Sequence, residues 1–270
     1  MKLKSFFIAF ILCVEVITSA YAQTFKNPEL SISSIGKNRW IIQTTDNNTM
    51  YLVEGTKKAL LIDTGNKCNQ FDSIVRLITK KPLEVVLTHA HSDHTGNIDA
   101  FDEIYLHRAD TVLLDKSYQG KLHFISDGDQ LDLGGTILEV VHTPAHTPGS
   151  IVLMDKEVGY CYSGDAFGSG QVWLQLRPTA PMKTYIGSCE KMEKWLEKGI
   201  DSIYCGHYFY AKQAFSKEYI TNMRILAESL ENGTNLKGEP YPIIVSFGAD
   251  HPMIITLGLA GIVYDPEHIK

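Results

Sequence analysis

Three imidazoles and a carboxylate fall within a single short stretch, Leu87-Thr88-His89-Ala90-His91-Ser92-Asp93-His94-Thr95-Gly96. Neutral imidazole and carboxylate are ligands for Zn2+ and for other borderline divalent ions, iron included. If the preceding Val85–Thr88 run is a strand, its period of two puts His89 and His91 on one side, and Asp93 and His94 follow as the chain turns. One loop can therefore serve two cations. A polar loop whose histidines only close hydrogen bonds is the plainer alternative, and the density of ligand groups argues against it.

Three more strand-like runs end on groups of the same kind. Gly134–Val141 leads into His142-Thr143-Pro144-Ala145-His146-Thr147-Pro148-Gly149, where two prolines and a glycine fix the turn. His146 is the candidate ligand there, with His142 in a packing or supporting role. Gly159–Gly164 ends at Asp165, whose two oxygens could each serve one metal. Ile200–Cys205 ends at Gly206-His207. Earlier, the apolar run Ala59–Ile62 ends at Asp63, which fits a supporting role that holds an imidazole or the loop backbone in place.

The elements that must position these groups alternate. Trp40–Thr44 and Met50–Val53 read as strands around the turn Asp46-Asn47-Asn48, and Phe71–Thr79 reads as a helix with Phe71, Ile74, Val75 and Leu77-Ile78 clustered on one face. A short helical stretch Ile98–Phe101 and a strand Glu103–Leu106 follow. Tyr185, Cys189, Met192 and Trp195 recur at helical spacing before Gly199, and Lys217–Leu230 is a last helix. Tyr241–Phe247 and Met253–Val263 are apolar closing segments. The alternation of strand and helix predicts an α/β fold with layered sheets.

From roughly Trp40 to His207 the chain resembles the metallo-β-lactamase superfamily, on Thr88-His89-Ala90-His91-Ser92-Asp93-His94 with Gly96, His146, Asp165 and His207. The resemblance implies a four-layer αββα sandwich, with two facing sheets and helices outside. It implies two zinc ions, one on His89, His91 and His146, the other on Asp93, His94 and His207, with Asp165 between them and Asp63 supporting the loop. The implied chemistry is hydrolysis of an ester, thioester, lactone or amide of a small molecule by hydroxide shared between the ions, with Asp93 orienting it. Aspartate at position 165, where true β-lactamases of this superfamily usually carry Cys or Ser, favours the glyoxalase II and lactonase-like branch over a β-lactamase. The rival is a mono-iron persulfide dioxygenase-like oxidoreductase using His89, His146 and Asp165; a non-catalytic zinc-binding role comes third. Trp173, Arg177 and Tyr208-Phe209-Tyr210 are suggestive of substrate contacts, but core packing and a solvated Arg177 are equally natural readings.

The chain-level features bound the setting. Lys2 and Lys4 before the apolar run Phe6–Val14, with Ala20 and Ala22 at the end, read as a signal peptide cleaved after Ala22. That leaves residues 23–270 as one domain, exported to a periplasm or secreted, with no stable membrane anchor. Acidic side chains outnumber basic ones, 31 to 25, for a formal net charge of −6, so nucleic acid is not an expected partner. Cys68, Cys161, Cys189 and Cys205 remain after processing; three pairings are open, and buried free thiols are the simpler expectation. Sequence leaves the oligomeric state, the natural substrate and the physiological metal undetermined.

Overall fold

The computed structural model describes residues 23–234 and 238–269, so the expected signal peptide lies outside the described residues. Eight strands cross the first sheet in chain order: β1 (Gln23–Lys26), β2 (Leu30–Gly36), β3 (Arg39–Thr44), β4 (Thr49–Glu54), β5 (Ala59–Ile62), β6 (Leu83–Val86), β7 (Glu103–His107) and β8 (Lys121–Ile125). The pairs from β1 to β5 are antiparallel. The pairs from β5 to β8 are parallel, with α1 (Phe71–Ile78) making the first crossover.

Period-two alternation divides these strands between two cores. Ile41, Tyr51, Val53, Leu60 and Ile62 face one cluster, which also contains Leu138, Val140, Leu153 and Tyr162 of the second sheet. Their neighbours Ile42, Met50, Leu52, Ala59 and Leu61 face the other, packed against Phe71, Ile74 and Val75 of α1. Fully burying each such side chain stabilises by ~1.5–3 kcal/mol. Every strand residue in the middle of this sheet is therefore committed to one layer or the next.

The second sheet has the order β14-β12-β11-β10-β9, formed by β9 (Gln130–Asp132), β10 (Ile137–His142), β11 (Ile151–Asp155), β12 (Tyr160–Gly164) and β14 (Ser202–Cys205). A smaller sheet joins β13 (Val172–Leu174), β17 (Ala260–Tyr264), β16 (Met253–Leu257) and β15 (Glu239–Pro240). Helices α3 (Met182–Leu196) and α5 (Lys217–Asn232), with the single turn α4 (Tyr208–Ala211) between them in the chain, pack on each other and bury Tyr185, Cys189, Met192, Tyr219, Met223 and Leu226 in the same cluster as the second sheet. The architecture is the αββα sandwich. Arg39 on β3 donates twice to Asp155 on β11, at 2.8 and 3.0 Å, an ion pair that joins the two sheets with both side chains buried.

Several local readings change. The 92–95 stretch forms one helical turn, α2 (Ser92–Thr95), and Ile98–Ala100 is a 3-10 turn that stops short of Phe101. Strands β1, β2, β8, β9, β11, β13 and β15 are not among the elements expected from the sequence, and Leu77, expected on the packed face of α1, is exposed. Tyr241–Phe247, expected as a closing apolar segment, is largely exposed. Among the described residues, Cys68, Cys161, Cys189 and Cys205 are free and buried, which agrees with the simpler expectation. Among the described residues no helix is long and apolar enough to cross a membrane.

Candidate metal centre

The loops that leave the two sheets at one rim bring the candidate ligands together. Donor atoms of His89, His91 and His146 lie within 4.8 Å of one another, as do those of His89, His94 and Asp165, and those of Asp93, His94 and His207. His94 Nε2 is 3.6 Å from one oxygen of Asp165, while His207 Nε2 is 3.1 Å and His146 Nε2 3.9 Å from the other. Asp165 thus stands between the histidine groups. Asp93 completes the third group, with an oxygen 3.5 Å from His207 Nε2 and 3.9 Å from His94 Nε2.

Hydrogen bonds on the far side of each ring set which nitrogen faces inward. His94 Nδ1 donates to Asp63 at 2.9 Å, His146 Nδ1 to the Trp173 carbonyl at 2.9 Å and His207 Nδ1 to the Asn47 carbonyl at 3.1 Å. A carbonyl only accepts, so His146 and His207 keep Nδ1 protonated and turn an Nε2 lone pair to the centre. The Thr88 hydroxyl donates to Asp63 at 2.7 Å and so accepts from His89 Nδ1 at 3.2 Å, giving His89 the same orientation. Asp63 also accepts the Thr88 backbone N–H at 2.7 Å, holding both the imidazoles and the loop backbone. It sits at φ +62, a left-handed conformation that turns the chain sharply off β5.

Charge follows from burial and neighbours. Burial, then the adjacent histidines, holds His89 well below the usual imidazole range, and the same causes bring His91 to about 3. Burial also lowers His146. These three rings are neutral and able to donate a lone pair. Burial opposes charge on His94 and His207 too, but the surrounding carboxylates, Asp63, Asp93 and Asp165 for His94 and chiefly Asp165 for His207, outweigh it and raise both. Asp165 is correspondingly held below the carboxylate range by His207 and His94 despite its burial.

The donor set fits divalent cations. His89 Nε2, His94 Nε2 and Asp165 Oδ1 are buried with no hydrogen-bond partner, although buried polar atoms are nearly always satisfied. His91 Nδ1 and His146 Nε2 face each other at 2.8 Å, and His146's inward nitrogen is a lone pair. Gly206 is required here, because a Cβ at that position would run into the Asp165 carboxylate and the His94 ring.

One contributor escaped the sequence reading. Asp110, fully buried in the 3-10 turn after β7, accepts from Ala90 N at 3.0 Å, Thr147 Oγ1 at 2.8 Å and Gly149 N at 2.6 Å. It thereby ties the His89/His91 loop to the His146 loop. No spacing rule marks it, since its partners are mostly backbone donors. His142 packs as expected, stacked on His107 with centroids 3.9 Å apart, its Nε2 on the Pro148 carbonyl at 2.9 Å. Cys205 is buried away from the cleft, and Arg177 pairs with Asp265 at 2.9 Å outside it.

The centre opens into a cleft of about 810 Å³. Its wall includes Trp173, Leu176, Tyr210, Tyr241, Ile243 and Phe247.

A layered αββα sandwich with a histidine-rich donor set at one rim is a metallo-hydrolase architecture. The chain belongs to the metallo-beta-lactamase superfamily, whose family model matches residues 44–207. It is similar to the acyl-coenzyme A thioesterase MBLAC2 of Homo sapiens, with 26% identity over 226 residues, 65% of this chain and 80% of that protein. A hydroxyacylglutathione hydrolase of Francisella philomiragia is 27% identical over 133 residues, covering 49% of this chain and 52% of that one. Among solved structures, a metallo-beta-lactamase from Erythrobacter litoralis matches with TM-score 0.60 at 20% identity, covering 76% of this chain and 99% of that one. At that identity the likeness establishes the fold alone. The protein is a metallo-beta-lactamase-fold hydrolase.

Proposed function

We propose that the protein binds two zinc ions, one through His89, His91 and His146 and the other through Asp93, His94 and His207, with Asp165 shared. The observation that carries this is the convergence of these side chains from four chain segments, with three buried polar atoms unpartnered at their meeting point. Bound ions of this kind supply an activated water and polarise a substrate carbonyl. The reaction is hydrolysis of an ester, thioester, lactone or amide, and the acyl-hydrolysing names of the relatives point the same way.

The chain's own groups divide the remaining work. Asp63 and the Trp173 and Asn47 carbonyls fix ring orientation, so that the donor set is formed before substrate arrives. Asp93 is the most exposed carboxylate of the set, 37% accessible at the cleft floor, and can accept a proton from the attacking water and return it to the leaving group. The apolar side of the cleft limits competing water.

Metal analysis of protein purified from its native host, followed by a panel of lactones, thioesters, β-lactams and phosphodiesters, tests the reading. About two zinc ions per chain and turnover of an acyl bond is the expected result. One iron per chain with oxygen uptake on a persulfide would replace it. Asp93→Asn should lose turnover by at least ~100-fold while retaining its His89/His91/His146 zinc.

A further inference from the structure

The cleft beside the donor set has two unlike walls. Apart from the donor set itself, Asp46 is the one charged residue lining it among the described residues, and no lysine or arginine reaches it. Beside polar lining residues such as Asn48, Asn66 and Gln171 the cleft carries an apolar wall of Trp173, Leu176, Tyr241, Ile243 and Phe247. Phe247 and Ile243 are 54% and 46% exposed, an arrangement that leaves large apolar surface facing water beside a reactive centre.

That wall is built onto the site rather than draped near it. The Phe247 ring stands 6.5 Å from the His91 ring, and Tyr241 packs edge-on to Trp173 at 5.7 Å. The Trp173 carbonyl orients His146, so one residue serves both the wall and a candidate ligand. The segment is pinned at both ends, by Tyr241 N to the Pro252 carbonyl and by Arg177 N to the Phe247 carbonyl, each within 2.9 Å. An exposed apolar strip held in place along a cleft that no lysine or arginine lines calls for an apolar occupant. Clefts of this volume enclose most of a ligand's surface.

We infer that the cleft takes an uncharged substrate whose acyl or alkyl chain lies against Trp173, Leu176, Tyr241, Ile243 and Phe247. Placement of the scissile carbonyl at the donor set rests on the hydrolase reading above; the chain-binding surface does not. A carboxylate or phosphate on the body of the substrate finds no cationic side chain on these walls. Substrates bearing such groups are therefore disfavoured against neutral esters and lactones of the same length.

Calorimetric titration of the zinc-loaded protein with N-alkylacetamides of increasing chain length tests the surface without requiring turnover. Affinity should rise by about fourfold per added methylene until the cleft is filled. An ω-sulfonate, an anion that ligates zinc poorly, on the longest probe should lower affinity at least tenfold. Phe247→Ser and, separately, Ile243→Ser, both at exposed positions, should flatten the chain-length slope. A flat slope in the native protein, or tighter binding of the sulfonated probe, overturns the inference even if esters are hydrolysed. A steep slope with no turnover on any acyl panel leaves the inference standing and removes the hydrolase reading. Retention on neutral phosphatidylcholine vesicles with no chain-length slope for soluble probes would assign the strip to a lipid surface instead.

Discussion

Asp110 touches none of the candidate donor atoms, yet it sets the distance between the loops that carry His89, His91 and His146. Its two oxygens accept from Ala90 N, Gly149 N and the Thr147 hydroxyl, so replacing one oxygen by an amide turns an acceptor into a donor facing a donor. Asp110→Asn should lower zinc affinity at the His89/His91/His146 group by ~10–100-fold, the range typical of ligand-supporting partners, and should weaken the Asp93/His94/His207 group less. Competition with a chromophoric chelator measures both; equal loss at the two groups, or none, would reduce Asp110 to a folding residue. The contrast with the donors explains what a sequence reader can see. His89, His91, Asp93, His94, His146, Asp165 and His207 were legible because metal ligands need particular side-chain types, and each follows an apolar run. Asp63 was legible as a strand-ending acid near that loop, but its link to His89 through Thr88 was not. Asp110 works through amide hydrogens that every residue possesses, and a single sequence carries no mark of that.

At the scale of elements, strand ends position the ligands, and the residue just past each strand decides whether the ligand can turn inward. β14 delivers His207 through Gly206, which is packed against Asp165 and His94 and whose carbonyl is bonded by Thr49 N at 2.8 Å. Gly206→Ala should leave the sandwich intact, because the added methyl meets the Asp165 carboxylate and the His94 ring most closely and the Gly164 backbone only at 3.2 Å. Its cost is paid at Asp165 and His94: activity should fall by at least tenfold, with weaker zinc at the Asp93/His94/His207 group and unchanged far-ultraviolet dichroism. The central strands β3 to β5, helix α1 and the two long helices α3 and α5 were readable from period and turn residues. The edges were harder. β8 pairs on one side only and exposes Lys121 and Phe124, so its apolar alternation is diluted, while α2 is a single turn, too short for any helical period to show. Tyr241–Phe247 misled in the opposite direction: apolar composition normally means core, and here it faces the cleft.

For the molecule as a whole, the site and the core are separable, and acid should reveal how. The two hydrophobic clusters hold the layers without reference to the donor set, so chelation should abolish activity and lower the unfolding midpoint while native secondary structure persists. In the chelated protein, His89, His91 and His146 are depressed by burial, and His107 by burial and then His142. A histidine whose folded value lies below its unfolded one takes up a proton more readily in the unfolded chain. Each therefore contributes stability that is present above the ordinary imidazole range and is lost as pH falls through it, by about 1.4 kcal/mol per pH unit. His94 and His207 are raised and act with the opposite sign, adding stability that is full below the ordinary imidazole range and fades as pH rises through their folded values. As pH drops from 7.5 the two raised rings first add stability until the ordinary imidazole value of 6.5 is reached; below it the four depressed rings lose theirs, so the chelated protein is less stable at pH 5 than at pH 6.5. Urea midpoints across that window measure the sum, with His89 and His91 both carrying the loss to its lower end because burial and the adjacent histidines keep each neutral there. A midpoint that rises between pH 6.5 and pH 5 would mean that His89, His91 and His146 are charged in the folded state, which is incompatible with lone pairs turned toward a common cation.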